Sequence, residues 1–172
     1  LRFEFARAVM QANAEMLEAI HRFKYQQALW LEPLFDRLFS GGAVKQIGDW
    51  RGDCLVPVPL HPVRLRERGF NQAEQLCRNL SRATSLKVET RAVKRTRVTQ
   101  TQTLLSRGER LANMRGAFEP DKVNLNGMRV ALVDDVLTTG ATTSDCARAC
   151  KKAGAAEVAV WTLARGLGSP GH

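Results

Sequence analysis

The sequence predicts an α/β fold, a parallel sheet flanked by helices, and three observations support this prediction. Residues 53–59 form a short apolar, β-branched run bounded by glycine and prolines, which is typical of the end of a buried strand. Residues 129–136 and 157–164 are two further apolar strands. A helix predicted over residues 141–153, stopped by Gly154, separates them. Such alternation favours parallel pairing, and parallel sheets bind ligands beyond the carboxyl ends of their strands.

The N-terminal part of the chain is predicted to be helical. Residues 1–20 contain Ala, Met, Glu and Leu without Gly or Pro, which favours a helix. A second short helix is predicted over residues 29–39, ending at Gly41-Gly42. The predicted organisation is an N-terminal helical segment packed on the core (residues 1–50), a core domain (51–165) and a tail (166–172).

Three further elements are predicted between the first and second apolar strands. Asn71, with Glu74 three residues later, is typical of the capped start of a helix. Residues 86–96 are predicted to form a strand, and residues 106–113 a short helix that follows a polar, basic stretch.

Bulk composition indicates one globular domain with a basic surface. The 172 residues are 44% hydrophobic and 25% charged, as in ordinary soluble proteins. No apolar run reaches the length of a membrane span, and residues 1–8 lack the apolar stretch of a secretory signal, so we expect a cytoplasmic protein without membrane insertion. The net charge of +9 suits polyanionic partners, although solubility alone also explains it.

The cysteines do not have the spacing of a metal site. No C-x-x-C pair occurs, and the three histidines do not have the sequence spacing from the cysteines that is typical of metal ligands. Cys146 and Cys150 share one face of a predicted helix. Buried thiols in a reducing compartment explain Cys54, Cys77, Cys146 and Cys150 better than zinc or a disulfide, so we expect no zinc in this chain.

The most informative segment is residues 130–142, VALVDDVLTTGAT. Asp134 and Asp135 end a buried strand, where ionised carboxylates are costly unless a ligand, a cation or solvent compensates them. Because carboxylates only accept hydrogen bonds, the pair suits two vicinal sugar hydroxyls, or hydroxyls bound to a metal.

A loop of threonine and glycine follows the acid pair immediately before a predicted helix. Its backbone N–H groups converge at the positive end of the helix dipole, the threonine hydroxyls add donors, and Gly140 lets the backbone approach a ligand closely. The acid pair and the loop together predict a site for one sugar phosphate. The alternative is an acidic strand end followed by an ordinary capped helix. The predicted phosphate loop consists of Thr138, Thr139, Gly140, Ala141 and Thr142.

Residues 130–142 are similar to the phosphoribosyl pyrophosphate motif of type I phosphoribosyltransferases. More narrowly, the chain resembles the ComF (GntX-like) family through three further stretches. These are VPVPLHPVRLRERGFNQ at residues 56–72, QxxLSRxERxxNxRGAF at residues 102–118 and FKY at residues 23–25. Together they cover most of the chain from about residue 20 to residue 165. Family members commonly carry an N-terminal four-cysteine zinc module that this sequence does not contain, which leaves the role of that module open here.

The resemblance implies a type I phosphoribosyltransferase-like parallel sheet with a flexible hood loop over the site. It implies that Asp134 and Asp135 meet the ribose hydroxyls and that residues 138–142 wrap the 5′-phosphate. Magnesium would be held through the ligand, bridging pyrophosphate and ribose oxygens, with no direct protein ligand. The sequence identifies no general base and no acceptor pocket, so the catalytic residues stay unassigned.

A basic segment follows the first predicted strand. Arg64, Arg66 and Arg68 alternate in a loop between Pro62 and Gly69, and in an extended loop they would point the same way and suit a pyrophosphate. In the resembled enzymes the loop after this strand binds pyrophosphate, and we extend that role to Arg64, Arg66 and His61. The alternative is a solvated basic loop.

The polar, basic stretch from residue 94 to residue 115 includes, by resemblance, the hood loop that folds over the ligand, with Arg107 and Arg110. The rival interpretation is a nucleic-acid patch, although the stretch lacks aromatic residues for base stacking. Tyr25 with Arg22 and Lys24 offers one stacking position, but a lone aromatic is more often a core residue, and we expect Tyr25 in the core.

Two functions follow from these predictions. The first is a phosphoribosyltransferase of unassigned acceptor that binds phosphoribosyl pyrophosphate with magnesium. The second is a non-enzymatic sensor of that ligand, which binds single-stranded DNA as an adaptor and has a DNA-uptake helicase as a partner. The resemblance supports a DNA-related role, because the ComF family is associated with natural competence and with the use of external DNA.

Overall fold

The computed structural model describes residues 1–26, 28–97 and 113–166. Their elements, in chain order, are as follows. The strands are β1 (Ala6–Gln11), β2 (Cys54–Pro57), β3 (Lys87–Val88), β4 (Val93–Arg95), β5 (Phe118–Pro120), β6 (Arg129–Leu137) and β7 (Glu157–Arg165). The helices are α1 (Ala14–Tyr25), α2 (Glu32–Trp50), α3 (Pro62–Arg68), α4 (Gln72–Thr84) and α5 (Ala141–Lys152), with a 3₁₀ turn at Leu29–Leu31.

The main sheet is parallel and has the order β1-β7-β6-β2-β3. Strands β4 and β5 form a separate antiparallel pair. The predicted fold class, a parallel sheet flanked by helices, is therefore confirmed. The predicted strands over 53–59, 129–136 and 157–164 and the predicted helix over 141–153 correspond to β2, β6, β7 and α5.

Two apolar cores lie on opposite faces of this sheet. On one face α1, α2 and α4 pack on alternate residues of β6 and β7 that include Val133 and Trp161. On the other face α5, β4 and β5 pack on the intervening residues, which include Leu132 and Val160. The side chains of successive strand residues alternate between the two faces, so adjacent residues at the end of β6 project to opposite sides.

The helix predicted over residues 1–20 is wrong in its first half. Residues 6–11 form β1, which pairs in parallel with β7, and α1 begins only after Asn13, whose side-chain Oδ1 accepts a hydrogen bond from the Met16 N–H at 2.8 Å. The segment contains strong helix formers, but pairing with the open edge of β7 overrides that weak local preference. The N-terminal segment thus adds a strand to the sheet in addition to packing helices on it.

The predicted helix end at Gly41-Gly42 is also wrong, because α2 continues to Trp50. A Cβ atom on Gly42 would lie 2.7 Å from Cγ1 of Val9, so this glycine lets α2 pack closely on β1. Gly41 has no atom within 4 Å of the corresponding position.

The other predicted elements have mixed outcomes. The capped helix start is confirmed, since the Asn71 Oδ1 accepts a hydrogen bond from the Ala73 N–H at 3.1 Å. The single strand predicted over 86–96 is wrong, because this stretch contributes β3 to the main sheet and β4 to the separate pair. The helix predicted over 106–113 lies outside the described residues except for its last residue, and most of the predicted tail also lies outside them.

The four cysteines are buried and unpaired, as predicted. Burial raises the pKa of Cys77 and Cys146 well above the ordinary value of a thiol. In the part of the chain that the structure describes, no group of three or more His, Cys, Asp or Glu residues could hold a metal ion. No helix there is long and apolar enough to cross a membrane.

Candidate functional site

A cavity of about 440 Å³ lies at the carboxyl ends of β2 and β6. These two strands are neighbours, but their connections leave in opposite directions: α4 packs on one face on the way to β3, and α5 packs on the other on the way to β7. Such a divergence opens a crevice at the sheet edge, where α/β folds bind ligands. Its lining includes six of the predicted site residues: His61, Arg64, Asp134, Asp135, Thr138 and Thr142.

The two aspartates lie at the base of this cavity on opposite faces of β6. Asp134 Oδ1 accepts a hydrogen bond from the backbone N–H of Asp135 at 2.9 Å. Burial and the neighbouring charge of Asp135 raise the pKa of Asp134 to about 7. An acid with this pKa is only partly ionised near neutral pH, and it gains most from a ligand that donates hydrogen bonds to it.

Asp135 forms an ion pair with Lys24, which projects from α1 into the cavity wall. Nζ of Lys24 lies 2.6 Å from Oδ2 of Asp135, and the two side chains are 22% and 12% exposed. Burial alone would lower the pKa of Lys24, but the attraction of Asp135 outweighs it and the pKa is raised. Lys24 was not among the predicted site residues, although it belongs to the FKY stretch that the sequence singled out.

The predicted phosphate loop leads into α5: Thr138, Thr139 and Gly140 precede the helix, and Ala141 and Thr142 form its first turn. Gly140 occupies the N-cap position with φ of 75°, a left-handed conformation that favours glycine. The Thr139 Oγ1 accepts a hydrogen bond from the Ala141 N–H at 3.4 Å, and a second, smaller cavity borders Thr138, Thr142 and Asp134. The first N–H groups of a helix have no partner within the helix, so this end can receive an anion. Phosphate binding itself stays a prediction.

The basic segment is a short helix, α3, and the prediction of an extended loop is wrong. His61 caps it, with Nδ1 accepting a hydrogen bond from the Val63 N–H at 3.3 Å, and Pro62 occupies the first turn, where proline favours helix. In a helix, residues four apart share a face, and residues two apart do not. Arg64 accordingly lines the cavity together with Arg68, whereas Arg66 is not among the lining residues.

Tyr25 was expected in the core, and this expectation is wrong. Its side chain is 58% exposed and lines the cavity. The His21 ring centroid lies 4.8 Å from that of Tyr25, and the Arg68 guanidinium lies over the Tyr25 ring at 5.0 Å from its centroid. Arg95, on β4, is a further cavity residue; it lies in the basic stretch 94–115 but was not among the predicted site residues. Nothing local distinguishes Arg95 from the other basic residues of that stretch, because the separate β4–β5 pair brings it to the site.

The predicted hood residues Arg107 and Arg110 lie outside the described residues. The described chain on either side of residues 98–112 is tied together, since the Thr96 N–H donates to the Ala117 carbonyl at 2.9 Å. Asp145 of α5 accepts hydrogen bonds from the backbone N–H groups of Gly116 and Phe118, each at 3.0 Å. Both stems of the predicted hood are thus fixed next to the helix that begins at the phosphate loop.

Comparison with known proteins agrees with the sequence resemblance. Competence protein F of Haemophilus influenzae is 37% identical over 151 residues, which are 85% of this chain and 66% of that protein. Competence protein ComFC of Bacillus subtilis is 34% identical over 161 residues, 92% of this chain and 63% of that protein. The chain is a homologue of the ComF proteins. The predicted resemblance is therefore confirmed.

Other comparisons add detail to this ComF homologue. DNA utilization protein YhgH of Escherichia coli K12 is 43% identical over 115 residues, 67% of this chain and half of that protein. The chain thus spans between about half and two thirds of the length of these relatives. No protein-family model matches it. Among solved structures, the purine phosphoribosyltransferase of Pyrococcus horikoshii Ot3 superposes with a TM-score of 0.48 and 16% identity, covering 79% of this chain and 83% of that one.

Proposed function

We propose that this ComF homologue binds phosphoribosyl pyrophosphate with magnesium and transfers the phosphoribosyl group to an acceptor, in competence or in the use of external DNA. The observation behind the proposal is that the cavity lined by both carboxylates shares Asp134, Thr138 and Thr142 with the smaller cavity at the glycine-containing start of α5. A sugar phosphate has hydroxyls at one end and a dianion at the other, which match these two devices.

The proposed roles follow the chemistry of each group. Asp134 and Asp135 accept hydrogen bonds from the ribose hydroxyls, and the amides at the start of α5 bind the 5′-phosphate. Arg64 and His61 lie on the cavity wall formed by α3 and bind the pyrophosphate. Lys24, on α1, lines the same cavity and forms an ion pair with Asp135. During transfer, the bond between C1 of the ribose and the pyrophosphate oxygen breaks, and the acceptor nucleophile forms a new bond to C1.

Magnesium fits this site through the ligand. Asp134 supplies oxygen, the donor that magnesium prefers, but the described residues contain no cluster of three acidic or imidazole groups that could hold an ion directly. When bound to the pyrophosphate, the ion neutralises charge on the leaving group.

Calorimetric titration of phosphoribosyl pyrophosphate with magnesium tests the proposal. Asp134→Asn and Gly140→Ala are each expected to weaken binding at least about 10-fold, because the first loses a carboxylate acceptor and the second strains the phosphate loop. Asp49→Asn removes the same charge from an exposed position on α2 and is the matched control. Equal binding by the wild type and both site variants would refute the assignment. If the wild type binds the ligand and the site variants bind it more weakly, release of pyrophosphate upon addition of candidate acceptors would demonstrate turnover.

A second candidate function is single-strand DNA binding, and the exposed Tyr25 favours it. An aromatic ring beside His21 with a guanidinium over it resembles the stacking positions that hold unpaired bases. In a fluorescence-anisotropy titration, Tyr25→Ala should then weaken binding of an oligonucleotide by about 10-fold. The affinity should also fall steeply with salt. Binding that depends on Tyr25 but not on Asp134 would favour the adaptor function over the transferase.

A further inference from the structure

We propose that Lys24 is a positioning residue of the ligand site: it orients Asp135 and cancels its charge, so that the acid pair presents at most one negative charge to a polyanionic ligand. The inference rests on the proposed function, because it concerns how the same cavity receives phosphoribosyl pyrophosphate. Neither the sequence pattern nor the comparison with relatives assigns this lysine a role in the phosphoribosyl site.

The first observation is the ion pair itself. The 2.6 Å separation of Lys24 Nζ and Asp135 Oδ2 is short, and both side chains are largely withdrawn from water. A charge in such surroundings is costly without a partner, so each group stabilises the ionised form of the other. A carboxylate has two oxygens, and with Oδ2 held by Lys24 the other oxygen has a fixed direction in which to accept a ligand hydroxyl.

The second observation is that Lys24 is held in place by the core. Its neighbour Phe23 is 5% exposed and packs edge-on against Phe35 and Phe70, with ring centroids 5.3 and 5.1 Å apart. The helix that carries both residues starts at a side-chain cap on Asn13. The ammonium group therefore belongs to a fixed wall of the cavity, unlike that of a lysine on an exposed helix face.

The third observation is the charge arithmetic at the base of the cavity. Two adjacent carboxylates there would repel a ligand that carries several phosphate charges. With Lys24 present, the charges of Asp135 and Lys24 sum to zero, and Asp134 remains as the one acidic group of the pair that can carry a net charge. Removal of the lysine alone restores the repulsion between the acid pair and the ligand phosphates, and it frees the Asp135 side chain to rotate.

A double-mutant cycle tests this role, with binding of phosphoribosyl pyrophosphate and magnesium measured by calorimetry. The variants are Lys24→Met, Asp135→Asn and the two combined. Lys24→Met is expected to weaken binding about 30-fold or more. The combined variant is expected to recover at least about 10-fold of that loss, because asparagine in place of Asp135 leaves no uncompensated charge and keeps an acceptor oxygen. Lys24→Arg should bind within about 3-fold of the wild type.

Lys45→Met is the matched control. Lys45 forms an ion pair with Asp49 on α2, but the side chains are 86% and 67% exposed and lie outside the cavity lining. Its removal should leave ligand binding unchanged.

The outcomes separate this inference from the proposed function. A wild-type protein that binds no phosphoribosyl pyrophosphate refutes the proposed function, and the inference with it. A wild type that binds, with Lys24→Met equal to it, overturns the inference alone. If the combined variant does not recover the affinity that Lys24→Met loses, the inference is also overturned, because Lys24 would then only hold α1 in place. If Lys24→Met does not fold, the combined variant decides: binding near that of Asp135→Asn supports the inference, and binding far below it contradicts it.

Discussion

Replacement of Asp134 by asparagine is expected to stabilise the ligand-free protein while it weakens ligand binding. Asp134 lies at the base of the cavity beside a second carboxylate, and burial with that neighbouring charge raises its pKa from 3.8 to about 7. Asparagine has nearly the same shape and keeps an oxygen for the hydrogen bond from the Asp135 N–H. The substitution therefore removes the charge without leaving a cavity.

The magnitude follows from the raised pKa. Each pH unit between the two pKa values corresponds to about 1.4 kcal/mol, so the free-energy cost of ionised Asp134 has an upper limit of about 4 kcal/mol. Water in the cavity screens part of the repulsion, and we expect a gain of about 1 to 2 kcal/mol in the free energy of unfolding. Because the folded form binds the proton more tightly, wild-type stability falls as the pH rises from about 4 to about 7. The gain from asparagine grows over the same window and is constant above it.

Urea unfolding of the wild type and Asp134→Asn at several pH values between 4 and 8 measures this difference. Asp49→Asn carries the same change of charge at a position that is 67% exposed, and it is expected to alter stability by less than about 0.5 kcal/mol at every pH. A variant that is less stable than the wild type at pH 8, or a difference that does not depend on pH, would refute the assignment of the raised pKa to Asp134.

Two further predictions concern packing and the hood stem, and urea unfolding checks both. Gly42→Ala should destabilise the protein by about 1 to 3 kcal/mol, because the new methyl group overlaps Val9, whereas Gly41→Ala has free space and should stabilise it by about 0.5 to 1 kcal/mol. Equal effects would contradict the close approach of α2 to β1. Asp145→Ala should cost about 2 to 4 kcal/mol, because it leaves the backbone N–H groups of Gly116 and Phe118 without their acceptor and removes the ion pair with Arg148. A cost below about 0.5 kcal/mol would contradict that anchoring role.

The segment from β6 to β7 could be predicted because its signals are local. A run of Val, Leu and Ala makes a buried strand, a polar pair ends it, and Gly140 and Gly154 bound the helix between the strands. Each choice depends on residues within a few positions. The same holds for the start of α4 at Asn71, where one side chain caps its own helix.

Other elements could not be predicted because their partners are distant in sequence. β1 has helix-forming residues, and it becomes a strand only because β7, at the other end of the chain, offers an open edge. Lys24 and Tyr25 became site residues only when α1 packed beside the carboxyl end of β6. α3 was different: Pro62 and Gly69 do mark a helix start and end, but the run of alternating arginines favoured a loop.

The position of the acid pair follows from the strand order. β6 lies between β2 and β7, and the helices that follow β2 and β6 cover opposite faces of the sheet, so the crevice opens where both faces end. Neighbouring residues of a strand point to opposite faces, so Asp135 meets Lys24 on one side while Asp134 turns to the side of α5. One dipeptide can therefore place an acceptor on each side of a ligand in this crevice. The raised pKa of Asp134 means that its ionised form lowers the stability of the ligand-free protein. Such a loss of stability is expected at a site that is shaped to bind a ligand.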